Sequence, residues 1–373
     1  MTDSSVIILD PGNYTPYYDA NLCQSLANWG LEVEWITSRY LFESVAPPAN
    51  VRVRHAFFNL LERGPLSHIA AVRRVAWLRR GLKAISYPLE MWALTRDLEA
   101  RPPGLIHVQW SLVPLFDGLF YRRWRRKGWR LIYTAHDVLP NHHAGWYQHL
   151  PARSHYHYLY NSVDLVVAHS ETNRRRLEEI GVPPQRIHVL PMGDWGSFCG
   201  TPLSRGEARK RLGLNPNRPL ALFFGLIKPH KGISLLLDSV PEMLRHAPHA
   251  QVLIAGQPME PLAPYYRQIA RLRLEQAVTC HPRYVPTEEV VTYFSAADVV
   301  VLPYLDITLS AVLVTAYSHA RPVVATAVGG LPELIEDGKS GRIVPPGDSQ
   351  MLGQVVGKLL AQPERCEQMG HYA

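Results

Sequence analysis

The chain has 373 residues, 47% of them apolar and 19% charged, which at about 100 to 200 residues per domain suggests two domains with ordinary packed cores. Disorder, collagen and coiled coil are excluded by that composition. The formal net charge of +7 is uneven: residues 51 to 130 hold 16 Lys+Arg against 5 Asp+Glu, so that segment stands at +11 and the remainder at −4. Such localisation suits an anionic partner such as phospholipid headgroups, a lipid-linked phosphate or nucleic acid.

Four cysteines (Cys23, Cys199, Cys280 and Cys366) lie far apart without CxxC spacing, so neither a disulfide framework nor a zinc knuckle is expected and a reducing compartment is the default. The opening MTDSSVIILDPGNY has acidic and polar residues where a secretion signal carries lysine or arginine. No apolar run approaches the roughly 18 residues that cross a bilayer. The expectation is a cytoplasmic protein, soluble or peripheral at the inner face of the plasma membrane.

In chain order, VIIL near residue 6 reads as the first strand, and the loop DPGNYTPYYDANL (10 to 22) leads to the first helix. Gly12 and Asn13 in that loop are either a structural turn or ligand-facing residues. LEVEWI near 31, LIHVQW near 105, RLIYTAH near 130 and DLVVAHS near 164 continue the β-rich runs, with amphipathic segments alternating. This is a βαβ rhythm. AVRRVAWLRRGLK (71 to 83) and YRRWRRKGWR (121 to 130) interleave arginine with tryptophan, as interfacial helices do; the alternative is solvated faces whose tryptophans join the core.

After a polar, proline-containing stretch from Gly193 to Pro219 the rhythm restarts with LALFFG, AQVLIAGQ, VTCHPRYV, ADVVVLPY, RPVVAT and GRIVPP. The predicted architecture is α/β, with two doubly wound, Rossmann-like domains over residues 1–200 and 201–373. The closing LLAQPERCEQMGHYA leads into no obvious final helix, which suggests that the second domain is cut short at its C-terminal end.

In LFFGLIKPHKGI (222 to 233) a strand runs into Gly225, Lys228, Lys231 and Gly232 before a helix. The lysines bring two cations to a diphosphate if this is a phosphate loop, and otherwise form a solvated basic turn. The histidines of NHHAGWYQHL and SHYHYLY (His142, His143, His149, His155 and His157) lack the one-face spacing and the carboxylates of a metal site.

ADVVVLPY (297 to 304), RPVVATAVGGLPELIEDGKSG (321 to 341) and VPPGD (344 to 348), with the HKG turn at 230 to 232, resemble the donor-binding domain of retaining family-four glycosyltransferases (glycosyl transferases group 1). GLIHVQW, RLIYTAHDVLP, DLVVAHSETNRRRL and RIHVLPMGD in residues 104 to 200 extend the resemblance through the first domain. It implies the GT-B fold, in which the two domains face an interdomain cleft. It also implies transfer of a hexose from a UDP- or GDP-linked sugar to an acceptor hydroxyl with retention, in polysaccharide, cell-envelope glycan or glycolipid assembly. Attack from the face of the departing phosphate, rather than through a protein nucleophile, is the expected route.

By the same resemblance His136 faces the transferred sugar, Lys231 and Lys228 hold the diphosphate, and Gly12 and Gly225 border it, with no metal ion or other cofactor required. The acceptor, a glycan or lipid-linked molecule, is expected near Asn13, Tyr14, Tyr17, Asp19 and Asp137, and no nucleic acid. Two departures stand out. The two glutamates that the family places before PVVAT fall on Ile307 and Thr315, leaving the Thr315 hydroxyl and the N–H groups of Thr308, Leu309, Ser310 and Ala311 as donor contacts. The arginine after the loop glycine is Leu226 here, so Lys228 is the expected substitute. Other readings of this pattern are a weak or inactive sugar-nucleotide-binding subunit and a GT-B-fold epimerase.

Overall fold

Continuous Val/Ile/Leu runs bury both faces of a parallel strand, and amphipathic helices cover them. The structure, a computed structural model, describes residues 5–40, 43, 45–62, 76–139, 152–193 and 200–373. The chain divides into two compact units, Met1–Pro191 and Met192–Ala373.

The first unit carries β1 (Ser5–Asp10), β2 (Glu32–Thr37), β3 (Val51–His55), β4 (Leu105–Val108), β5 (Arg130–Thr134), β6 (Leu165–Ala168) and β7 (Ile187–Val189). They form one parallel sheet in the order β3-β2-β1-β4-β5-β6-β7. The order reverses between β1 and β4, the switch point where open α/β sheets take ligands at their carboxyl ends. β3, with its alternating arginines, was not foreseen from hydropathy because an exposed edge strand lacks an apolar run. The unit's helices are α1 (Pro16–Asn28), α2 (Asn59–Glu62), α3 (Ala76–Glu99), α4 (Pro114–Arg126), α5 (Ala152–Tyr160) and α6 (Glu171–Ile180). Ser170 caps α6 by accepting the Asn173 N–H at 3.1 Å, and left-handed Gly181 ends it.

The second unit orders its strands β10-β9-β8-β11-β12-β13, again all parallel. They are β8 (Leu220–Phe224), β9 (Gln251–Ala255), β10 (Val278–His281), β11 (Val299–Leu302), β12 (Val323–Thr326) and β13 (Gly341–Val344). Around them lie α7 (Arg205–Arg211), α8 (Ile233–His246), α9 (Ala263–Leu272), α10 (Thr287–Ala296), α11 (Ala311–Ser318), α12 (Leu331–Leu334), α13 (Ser349–Leu360) and α14 (Pro363–Tyr372). Leu236, Leu237, Val240 and Met243 give α8 a buried stripe. Gly353 and Gly357 let α13 lie against it: a Cβ on Gly353 would stand 2.3 Å from the Ser239 carbonyl oxygen.

α14 corrects the expectation of no final helix. Pro363 starts it at a position where no intrahelical N–H is needed, and Cys366, Met369 and Gly370 bury one side. Its periodicity is hidden in the sequence because small Gly370 makes the close contact, against the Ala320 carbonyl. Among the described residues, no helix is long and apolar enough to cross a membrane.

Candidate active site

In the first unit the strand ends at the switch point gather histidine, carboxylate and aromatic side chains. Asp10 closes β1 and is fully buried. Its carboxylate accepts the N–H groups of Gly12 (3.0 Å), Asn13 (2.9 Å) and Tyr14 (2.9 Å), which folds the loop back on the strand. Asn13 adopts a left-handed φ of 51° and donates its amide to the Ser38 carbonyl at 2.8 Å. Gly12 has no space for a side chain while the Tyr14 ring holds its place, because a Cβ would meet that ring at 2.5 Å.

Asp19, expected at the acceptor, is instead fully buried. Burial, then repulsion from Asp10, pushes its carboxyl well above the usual range; burial raises Asp10 to about 6. The pair therefore retains a proton more readily than two free carboxylates. Tyr17 donates its hydroxyl to Glu43 at 2.5 Å. Tyr14 is exposed and packs edge-on against Trp110 at 5.4 Å.

His136 follows β5 and is 9% exposed. Trp110 stacks on its ring at 5.0 Å and 14°, and Tyr18 meets it edge-on at 4.7 Å. Nε2 lies 3.1 Å from Gln109 Oε1 and Nδ1 lies 3.3 Å from His169 Nε2. His169 in turn donates Nδ1–H to the Leu190 carbonyl at 2.9 Å. Burial, then the neighbouring imidazoles His169 and His107, holds His136 well below the ordinary histidine range, so it is neutral at pH 7. A neutral ring held at both nitrogens orients and hydrogen-bonds; it does not serve as a fixed cation. His107, on β4, sits 2.7 Å from Thr134 Oγ1 and is lowered to about 4 by burial. Asp137 is half-buried beside this group.

Gln109, Trp110, His107, His169 and Tyr18 were not singled out from the sequence. Their signal was positional: each lies at a strand end or on the first helix, and strand ends at a switch point are where ligand contacts converge.

In the second unit the loops after β8 and β11 meet. Gly232 has φ 69°, and a Cβ there would stand 1.8 Å from the Pro303 carbonyl oxygen, so only glycine allows this approach. Lys231 Nζ lies over the Tyr304 ring at 3.9 Å. The Tyr304 hydroxyl is 3.3 Å from Ser310 Oγ, and Ser310 precedes α11. Gly225 borders the same helix, its Cβ position 3.5 Å from Val312. The structure thus brings together Gly225, Lys231, Ser310 and Ala311, with half-buried Lys228 on the same turn. Thr308 is buried and its carbonyl accepts the Gly330 N–H at 3.1 Å, while Leu309 is half-buried.

Ile307 is buried at 7% exposure in the apolar core, where a carboxylate would be desolvated. The Thr315 hydroxyl donates to the Ala311 carbonyl at 2.9 Å, within its own helix, so only its lone pairs remain for a ligand. Two open grooves of this unit, about 570 and 730 Å³, are lined by His281, Arg283 and Tyr293 and by Lys339, Arg365 and Tyr372 respectively; neither includes the lysine turn.

Among the described residues no group of three or more histidine, cysteine or acidic side chains is disposed to hold a metal. His157 hydrogen-bonds the Ile180 carbonyl at 2.7 Å, whereas His142, His143 and His149 lie outside the described residues.

Two parallel doubly wound units, each with polar residues gathered at strand ends, define a GT-B protein. Residues 17–193 match the family of the glycosyl transferase 4-like domain, and residues 218–362 match the family of glycosyl transferases group 1. The chain belongs to the family-four glycosyltransferases.

A curated relative, the GDP-mannose-dependent alpha-(1-6)-phosphatidylinositol monomannoside mannosyltransferase of Mycolicibacterium smegmatis, is 32% identical over 252 residues, 65% of this chain and 63% of the relative. A D-inositol 3-phosphate glycosyltransferase of Segniliparus rotundus is 33% identical over 212 residues, 56% of this chain and 46% of the relative. The chain thus spans less than two thirds of either. Solved structures share the fold at low identity: HepE of Anabaena, solved with UDP and glucose, has TM-score 0.71 at 18% identity, covering 99% of this chain and 93% of that one. Sucrose-phosphate synthase of Thermosynechococcus elongatus has TM-score 0.72 at 20% identity, covering 99% and 92%.

Proposed function

We propose that this protein transfers a hexose from a UDP- or GDP-linked sugar to the hydroxyl of a glycan or lipid-linked acceptor, with retention at the anomeric carbon. The observation that carries the reading is the lysine turn of the second unit: Gly232 packs it against Pro303, and Lys231 is held over Tyr304 beside the start of α11. As the glycosidic bond breaks, negative charge grows on the leaving diphosphate. Fixed ammonium groups and the N–H groups at Ser310 and Ala311 stabilise that charge without solvent reorganisation.

Lys228 and Lys231 supply the cations, so the reading assigns no step to a metal. The leaving phosphate oxygen takes the acceptor hydroxyl's proton as the new bond forms on the same face, and neutral His136 orients the sugar hydroxyls. Gly12, Asn13, Tyr14 and Asp137 are assigned to the first unit's ligand-facing loops, and Tyr17 to the first turn of α1. The lipid-linked class of acceptor is favoured by the phosphatidylinositol named for one relative and by the +11 segment at residues 51 to 130.

Nucleotide release from UDP- and GDP-sugars, with calorimetric binding, tests the proposal in wild type, Lys231→Ala and Lys228→Ala. Release should fall by about 100-fold or more in the first and about tenfold in the second, the scale of losing one preorganised charge contact. Buried Ile307 and the engaged Thr315 hydroxyl favour the competing binding-subunit reading. Donor binding without release from any donor, with membrane extract as acceptor, would establish that one instead.

A further inference from the structure

The tryptophans of residues 121 to 130 do not reach a surface: Trp124 and Trp129 are buried in the first unit's core. Residues 71 to 75 lie outside the described residues. Within the basic segment, the exposed large apolar side chains cluster instead on the outer faces of α3 and α4. Ile85, Leu89 and Trp92 are 68%, 65% and 50% exposed on α3, and Leu115 and Leu119 are 43% and 57% exposed on α4.

The two helices run parallel. Tyr87 meets Phe116 at 6.1 Å, Thr95 accepts the Trp124 indole N–H at 2.9 Å, and Glu99 pairs with Arg123 at 2.7 Å. Each outer stripe repeats one pattern at helical spacing, i, i+4, i+7 and i+11. On α3 it reads Ile85, Leu89, Trp92, Arg96; on α4 it reads Leu115, Leu119, Arg122, Arg126. Apolar residues occupy the first turns of both stripes and arginines the last. Arg96 caps the Trp92 ring at 4.8 Å. Below α4 a groove of about 570 Å³ is lined by Arg122, Arg125, Arg126 and Arg130 together with Asp164, which pairs with Arg125 at 2.7 Å. Among the described residues, Arg122 and Arg126 form no ion pair with a carboxylate, Arg122 stacking on the Tyr158 ring at 4.2 Å, whereas Arg96 acts on the Glu99 carboxylate.

We infer that the outer face of α3 and α4 docks on an anionic phospholipid bilayer, its leucines, isoleucine and tryptophan entering the interface while the arginines engage headgroup phosphates. Charge selects this occupant. The face lies within the +11 segment of a chain whose remainder is at −4, and an apolar strip edged by arginine matches the boundary between acyl chains and anionic headgroups. The inference stands on the surface alone, so vesicle binding and sugar transfer succeed or fail separately.

The test is co-sedimentation of the full chain with phosphatidylcholine vesicles, with and without phosphatidylglycerol, at low and high salt. Wild type should bind the anionic vesicles at least about tenfold better and lose most binding at high salt. Leu89→Glu combined with Leu119→Glu should abolish binding while circular dichroism and nucleotide release stay unchanged. Arg122→Ala with Arg126→Ala should lower binding about fivefold per arginine. Wild type that ignores anionic vesicles, or variants that bind as wild type does, would overturn the inference. So would a concentration-dependent dimer that Leu89→Glu with Leu119→Glu converts to monomer, since the face would then be covered by a second copy.

Discussion

Gly232 is a position where one added methyl group has no room. Alanine there would hold a left-handed φ of 69° and press its Cβ to 1.8 Å from the Pro303 carbonyl, so the turn must move. Gly232→Ala should cost about 3 kcal/mol in denaturant unfolding and weaken nucleotide binding, because Lys231 rides on the same turn. Unchanged stability would refute the close approach. Lys231 and Gly232 were legible in the sequence as a glycine-bearing basic turn before a helix. Tyr304, which carries the lysine, was not: its ring reaches Lys231 only because β8 and β11 are neighbours in the sheet.

Among elements, the α3–α4 pair depends on a buried side-chain bond. Trp124 is fully buried, and its indole N–H has Thr95 Oγ1 as acceptor at 2.9 Å. Thr95→Val should cost about 1 to 2 kcal/mol, since it strands a desolvated donor. In a double-mutant cycle with Trp124→Phe, the coupling should be about 1 kcal/mol by urea denaturation; additive losses would mean that the bond contributes nothing. The helical period of α4 is readable from Pro114 to Arg126, but periodicity alone left open whether its tryptophan faced core or membrane. Packing settled that, because α3 and α4 shield Trp124 together. α14 shows the same gap, since its buried side uses Cys366 and a glycine rather than a row of large apolar residues.

Over the whole molecule, buried titratable groups set opposing pH dependences. Burial raises Asp117 from 3.8 to about 6, so between those pH values the folded state holds more protons than the unfolded chain, and this contribution is lost as pH rises. It amounts to about 3 kcal/mol at 1.36 kcal/mol per unit. His107 falls from 6.5 to about 4; the folded state then holds fewer protons, and its contribution, also about 3 kcal/mol, is lost as pH falls through that window. The two largely cancel between pH 4 and 6. His107→Gln should therefore remove the acid penalty, making the variant relatively more stable at pH 4.5 than at pH 7 by roughly 2 to 3 kcal/mol against wild type. Parallel urea profiles for variant and wild type would refute this.

Chain order alone specified two doubly wound units, a glycine-bearing lysine turn and a histidine after a strand, because hydrophobic period and turn chemistry are local properties; the departures at Ile307 and Thr315 were visible only through the family resemblance. Tertiary contact was needed to join His107, His136 and His169 from β4, β5 and β6, to bury Asp19 against Asp10, and to align the outer stripes of α3 and α4. Those arrangements follow from which strands and helices become neighbours, and a parallel crossover fold makes neighbours of residues separated by dozens of positions.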